Sequence, residues 1–344
     1  MRAARNPVRF LPYREARRQP NVVVDGAPLP STVLTLSHWP NNQSPPALRR
    51  DTSTATVFAY LDDPAPHPGA DYVTNNHFDE DGLFSAFALC DPETALRHRE
   101  LLVNASFAGD FGIVRDRDAA RLCFAIEALT DPATSTLPAA TFTATDRPAA
   151  LYGSMLQLLP DLLLKLPASP GLWAAQDEHL AASRQLLADA TVTLEEYPAL
   201  DLAVVCIPEP LRGTRARRYL RDEQATLHPF AINTATAASR ILRVQGGRYE
   251  FEYRYESWVR LATRRVPLRV DLRGLATWLN EREGEERWVA EDPNDVAPRL
   301  WMPDGGPSRV PYQEFFAALC GALTTAPVAW DPYDWQAPAV APAA

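Results

Sequence analysis

The chain has 344 residues, of which 46% are apolar and 22% charged, and a net charge of −9. This length exceeds one ordinary domain and suits two, and the composition is globular rather than disordered. The acidic balance argues against a general nucleic-acid binder, and no apolar run approaches the ~18 residues that cross a bilayer.

The basic start, Met1 to Arg18, has no apolar stretch behind it, so no secretory leader is expected and the chain should be soluble and cytoplasmic. Two β-type runs follow, Asn21 to Gly26 and Thr32 to His38, each ending in polar or turn-forming residues. Asp51-Thr52-Ser53-Thr54 supplies helix N-cap chemistry ahead of a helix over 55–61. A strand is expected over 71–75, and helices over 82–89, 95–107 and 118–129. Such alternation predicts a largely parallel sheet flanked by helices.

Residues 131–148, rich in Thr, Ala and Pro, read as a loop, and helical patterns resume over 151–190. Within them Asp177-Glu178-His179 reads as a solvated stretch. Beyond lie strands at 202–207 and 268–272, a hairpin of 239–244 and 248–259 around Gly246-Gly247, and helices over 274–282 and 311–323. The expected organisation is a first α/β domain over 1–130, a linker and helical connection over 131–195, a second and smaller α/β domain over 196–330, and a loose tail over 331–344. The four cysteines show no paired spacing and are expected reduced.

Between Arg212 and Arg273 there are fourteen Arg against six Asp and Glu, a local excess of eight positive charges. Arginine forks suit phosphate, but a charge block is more often a solvated face, and Lys165 is the only lysine in the chain.

The segment Val73 to Ser85 concentrates ligand-type residues. His77, Asp79 and Asp81 are spaced by two, so an extended backbone would turn all three to one side. One imidazole with two carboxylates suits manganese, magnesium, iron or zinc. Gly82 would then let the chain turn into a helix. A calcium loop counted from His77 fails, because its twelfth position is Ala88.

His77-x-Asp79-x-Asp81-Gly82, with Ser85 shortly after, resembles the first motif of the DHH phosphoesterase superfamily. That superfamily includes RecJ-type exonucleases, nanoRNA/pAp phosphatases, cyclic-dinucleotide phosphodiesterases and manganese pyrophosphatases. Val22-Val23-Val24-Asp25 resembles its strand ending in a single metal-binding Asp. Ser37-His38-Trp39 is similar to its Asp-His-His element with only the middle histidine kept. The motif order differs, since the Asp25 and His38 elements here come first. The run Asn75 to Gly82 also resembles a bacterial family with no assigned activity.

The resemblance implies a DHH-like domain and a metal set of Asp25, His38, His77, Asp79, Asp81 and Asp110, with His77, Asp79 and Asp81 carrying the catalysis. It implies Mn2+ or Mg2+, two ions, and a bridging water that attacks phosphorus. The expected activity is that of a metal-dependent phosphoric ester hydrolase acting on a small phosphorylated substrate, nucleotide or short oligonucleotide. His228, Asn233 and Arg254 are the candidates for binding it. Neither long nucleic acid nor a membrane is expected as partner, and a homodimer is allowed. Two other readings stay open. One is a mononuclear metal enzyme on a non-phosphate substrate; the other is a catalytically degenerate module that binds a nucleotide or a partner.

Overall fold

Four short strands, β1 (Arg9–Phe10), β2 (Asn21–Val24), β3 (Thr32–Leu36) and β4 (Tyr72–Thr74), form an all-parallel sheet in the order β1-β4-β2-β3. The computed structural model describes residues 7–40, 42–63, 69–218 and 221–334, without the side chains of 217, 218 and 221–223. Every β2 residue is buried, as the continuous apolar run of a strand covered on both faces requires.

After the short α1 (Tyr13–Ala16), the helices around this sheet are α2 (Ser53–Asp62), α3 (Glu80–Cys90), α4 (Pro92–Arg97), α5 (Arg99–Phe111) and α6 (Arg117–Thr130). The Thr52 hydroxyl accepts the Ala55 amide at 3.3 Å, so the expected N-cap starts α2. The helix expected over 95–107 begins earlier and is broken at His98, which separates α4 from α5.

The segment 131–148 is not purely loop: α7 (Ala139–Thr143) lies within it and α8 (Arg147–Lys165) begins in it. Tyr152, Met155 and Leu159 of α8 are buried in the same core as Val24 and Phe84, so this helix completes the first layer. After two 3-10 turns comes α9 (Ala174–Ala188). Its Asp177, expected in solvent, is buried and takes forks from Arg117 and Arg121, at 2.9 and 3.0 Å.

The remaining chain builds β5 (Thr193–Tyr197), β6 (Leu202–Ile207), β7 (Thr214–Arg218), β8 (Arg221–Ala225), β9 (Arg240–Gln245), β10 (Arg248–Tyr253), β11 (Arg269–Val270), β12 (Val289–Ala290), β13 (Arg299–Trp301) and β14 (Val328–Trp330). Its helices are α10 (Pro229–Ala235), α11 (Arg273–Glu283) and α12 (Tyr312–Thr325). Six strands form a mixed sheet, β12-β13-β10-β9-β6-β5, in which only β6 and β9 run parallel. The β9–β10 hairpin turns at Gly246 and Gly247, both left-handed at φ 55° and 76°, as a two-residue turn of this kind demands. The strand expected through 259 stops at Tyr253, and Arg254 to Val259 turns back toward the first sheet.

Part of the segment expected to be a loose tail is tied down. β14 pairs with β11 just before it, and the Tyr333 hydroxyl bonds the loop 261–264; residues 335–344 lie outside the described set. The two sheets have separate cores, joined by a third cluster in which Phe107 and Phe111 of α5 meet Tyr255, Val259 and Leu261. Among the described residues all four cysteines are free, with Cys123 buried and Cys206 exposed. No described helix is long and apolar enough to cross a membrane.

Candidate metal centre

In a parallel sheet the carboxyl ends of all strands open on one edge, whatever their order in the chain. β2 ends at Val24 and delivers Asp25, β3 ends at Leu36 and delivers His38, and β4 ends at Thr74 and leads to His77. The three segments therefore converge.

Asp25 sits at φ 44°, a left-handed conformation that costs most residues energy but that Asp tolerates. Its carboxylate is buried and divides its two oxygens. Oδ1 lies 3.3 Å from His38 Nε2 and accepts the Ser53 hydroxyl at 2.8 Å, while Oδ2 lies 3.3 Å from His77 Nε2. The close passage behind it needs a glycine: a Cβ at Gly26 would meet Asn76 Oδ1 at 2.2 Å.

The spacing of His77, Asp79 and Asp81 does not work through an extended strand. His77 stands in the turn after β4, Asp79 is the N-cap of α3, and Asp81 lies in that helix's first turn. Asp79 Oδ1 accepts the Gly82 amide at 2.8 Å, leaving Oδ2 at 2.8 Å from His77 Nε2. Gly82 serves space rather than a left-handed turn, since a Cβ there would lie 2.4 Å from Asn75 Nδ2 and 2.5 Å from Tyr152 Oη. Asp81 crosses to the start of α2 and accepts the amides of Ser53 and Thr54, each at 2.7 Å, where the helix dipole favours a carboxylate. Asp110, near the end of α5, brings Oδ2 to 3.4 Å from His38 Nε2.

His38 Nδ1 is 2.6 Å from the Asp51 carbonyl, which can only accept, so Nδ1 carries a hydrogen. Nε2 therefore faces Asp25, Asp81 and Asp110 as the ligand nitrogen, oriented as the outer partners of metal-bound histidines orient them.

Four carboxylates and two imidazoles thus crowd together, with Asp25, His38, Asp81 and Asp110 buried and His77 and Asp79 half-buried, and several of their acidities are shifted. Burial pushes Asp81 up to about 6, with the charge of Asp25 adding to it. Burial and the charges of Asp81, Asp79, Asp25 and Glu80 raise Asp110 well above the carboxylate range. Burial opposes the charged forms of His38 and His77, but their carboxylate neighbours outweigh it and raise both. Burial likewise opposes ionised Asp25, but hydrogen bonds from His38 and His77 outweigh it and lower its pKa. Protons do here what a cation would do better.

The ligand atoms fall into two triads, Asp25 with His38 and Asp81, and Asp25 with His77 and Asp79, with all atoms of each triad within 4.8 Å of one another. The donor set of imidazole and carboxylate fits Mn2+ or Mg2+, and the buried Asp25 Oδ2, 3.3 Å from His77 Nε2, is a carboxylate oxygen that such an ion could take.

The structure brings all six sequence-named ligands together and places the three substrate candidates elsewhere. His228 caps α10, its Nδ1 accepting the Phe230 amide at 3.1 Å. Asn233 Nδ2 donates to the Phe111 carbonyl at 3.0 Å. Arg254 is fully buried, donates to the carbonyls of Thr236, Ala238, Phe111 and Asn233, and pairs with Glu256. Asn233 and Arg254 bind the second half of the chain to the end of α5 at Phe111, one residue past Asp110, while His228 packs on Phe124 and His179.

Two residues not read from the sequence reach the centre. Tyr255 Oη is 3.4 Å from His38 Nε2, and its position after the β9–β10 hairpin gave no local signal. Trp39, noted only as a replacement, lays its ring over His77 with centroids 4.8 Å apart. Ser37 is structural, exchanging hydrogen bonds with Ser44 at 2.8 Å.

Fold and site define an α/β protein with a buried His/Asp centre of two triads at the carboxyl edge of a parallel sheet. The chain belongs to the family of unknown function DUF6687, whose model matches residues 6–334. No curated protein and no solved structure matches it.

Proposed function

We propose that this protein is a metal-dependent phosphohydrolase of DHH-like type, which holds two Mn2+ or Mg2+ ions and hydrolyses a small phosphate ester, nucleotide or short oligonucleotide. The observation that carries the reading is Asp25. One carboxylate faces a different histidine with each oxygen and belongs to both triads. A carboxylate shared in this way could serve two ions at once, and such a pair would supply an acidified water and positive charge for the phosphoryl oxygens.

His38, Asp81 and Asp110 would hold one ion, His77 and Asp79 the other, and Asp25 both. Asp51 keeps His38 in its ligand tautomer, and the Ser53 and Thr54 amides fix the Asp81 carboxylate. In this reading the first sheet is the metal-binding unit, and the second presents the substrate.

The test is metal analysis of the purified protein beside an Asp79→Asn, Asp81→Asn double variant, with a phosphomonoester and a phosphodiester assayed in Mn2+. Two equivalents of metal with hydrolysis, both lost in the variant, are expected. One redox-active ion without hydrolysis would favour the mononuclear reading, and no metal in either protein would leave a binding module.

A further inference from the structure

A cleft of about 570 Å³ opens beside His38, and its lining includes Arg49, Arg50, Arg260, Arg264, Arg265 and Tyr333. Elsewhere in the molecule Arg99, Arg117, Arg215, Arg243, Arg273 and Arg299 each pair with a carboxylate. Among the described residues none of the five cleft arginines does. Burial and the nearby charge of Arg260 pull the Arg49 pKa below its ordinary value, which shows these guanidinium groups crowding one another.

The arginines stand on a loop fixed from several sides. The Asp51 carboxylate accepts the amides of Ala262 and Thr263, at 2.7 and 2.9 Å. The Arg260 amide donates to the His38 carbonyl at 2.9 Å. The Tyr333 hydroxyl lies 3.3 Å from the Leu261 carbonyl and 3.2 Å from that of Arg264, and its ring sits under Arg265 at 4.3 Å. Arg49 and Arg264 spend one nitrogen each on the carbonyls of Ser44 and Ala237, and their other nitrogens remain available. Holding like charges together in a preset shape lowers stability unless an anion takes them up, and a preset shape lowers the cost of binding that anion.

We propose that this cleft binds a second phosphate group of the substrate, which is therefore a small molecule carrying at least two phosphates, one at the His/Asp centre and one on Arg49, Arg260, Arg264 and Arg265. This rests on the phosphohydrolase reading of the centre. Several forks on one concave spot match a tetrahedral dianion better than a single carboxylate. A net charge of −9 and a localised cleft rather than an extended basic stripe speak against a long polynucleotide. Asp51 makes the two halves one site, since its carbonyl holds His38 and its carboxylate holds the arginine loop.

The experiment is calorimetric titration of the full chain with inorganic phosphate in metal-free buffer, beside the same titration with acetate. Wild type and Asp25→Asn should both bind phosphate, and an Arg49→Gln, Arg260→Gln variant should bind it at least tenfold more weakly. Acetate should not compete. The exposed Arg265→Gln, a several-fold loss, stands in if the double variant does not fold. No phosphate binding by wild type, binding by the double variant within twofold, or equal competition by acetate would overturn the proposal. Mn2+-dependent hydrolysis without phosphate binding in the cleft would overturn this proposal alone. Phosphate binding without hydrolysis would support the cleft and overturn the phosphohydrolase reading beneath it.

Discussion

Replacing Asp25 by Asn separates a shared ligand from two independent ones. Asn has the same shape and accepts the left-handed backbone at φ 44°, so the turn after β2 should survive. What disappears is one negative charge facing His38 on one side and His77 on the other, each 3.3 Å away. Taking a carboxylate contact to a charged group as about 1.5–3 kcal/mol, one contact per ion sums to about 3–6 kcal/mol. At about 1.4 kcal/mol per factor of ten, the joint affinity for two ions falls by about 10²–10⁴. Asp79→Asn removes a ligand from one triad only and should weaken one ion by about 10–10². The assay is Mn2+ titration by calorimetry with elemental analysis after dialysis. Wild type should keep two equivalents, Asp79→Asn one, and Asp25→Asn neither. Indistinguishable behaviour of the two variants would refute the shared role of Asp25.

Three further outcomes follow from the same geometry. Because burial and the neighbouring carboxylates raise the Asp110 pKa, the metal-free fold disfavours its charged form relative to the unfolded chain. Asp110→Asn should therefore raise the melting temperature without metal, by about 2 °C for each ~1 kcal/mol relieved, yet weaken Mn2+ binding; a lower melting temperature would refute this. Because their pKa values are raised, His38 and His77 keep a proton to higher pH than free imidazoles and must lose it to ligate, so Mn2+ binding should release protons and weaken as pH falls. Calorimetry in buffers of different ionisation enthalpy counts those protons, and a count of zero would contradict the shift. Arg254→Met strands Glu256 and frees four buried carbonyls, so denaturant unfolding should show a loss of about 3–5 kcal/mol; a loss under about 1 kcal/mol would show that Arg254 does not join the two sheets.

Three of the candidate ligands were legible because each sits where a strand surfaces, and the end of a strand leaves a local trace: an apolar run, then a polar residue, then a turn former. Asp25 before Gly26, His38 after Leu36 and His77 after Thr74 all carry it. Asp110 left a weaker trace, being on a helix whose period hides which residue faces inward. The argument from alternation expected a pleat to aim Asp79 and Asp81, but a helix cap and a first turn aim them instead. The second sheet was harder. The strands β12, β13 and β14 are two or three residues long and paired by tertiary contacts, with too little sequence to show a period. His228, Asn233 and Arg254 looked like substrate residues because they are polar groups near hydrophobic runs, which is equally the signature of a buried polar joint.

In the DHH-like reading proposed above, the sheet accounts for the different order of the motifs. Spatial order is β1-β4-β2-β3, so β4, last of the four in the chain, lies beside β2, and β2 lies beside β3. Parallel pairing brings Asp25 between the two histidine-bearing segments, which is the position a shared ligand must occupy. A crossover through α2 carries the chain from β3 back to β4, and the start of that helix supplies the two amides that seat Asp81. The connection that permutes the motifs is thus the element that positions the last carboxylate. The arginine loop reaches the same edge from the second sheet because Arg254 and Asn233 hold that sheet against the end of α5. Loss of this joint should therefore cost phosphate binding in the cleft before it costs metal binding, because all six candidate ligands are carried by the first sheet and its helices.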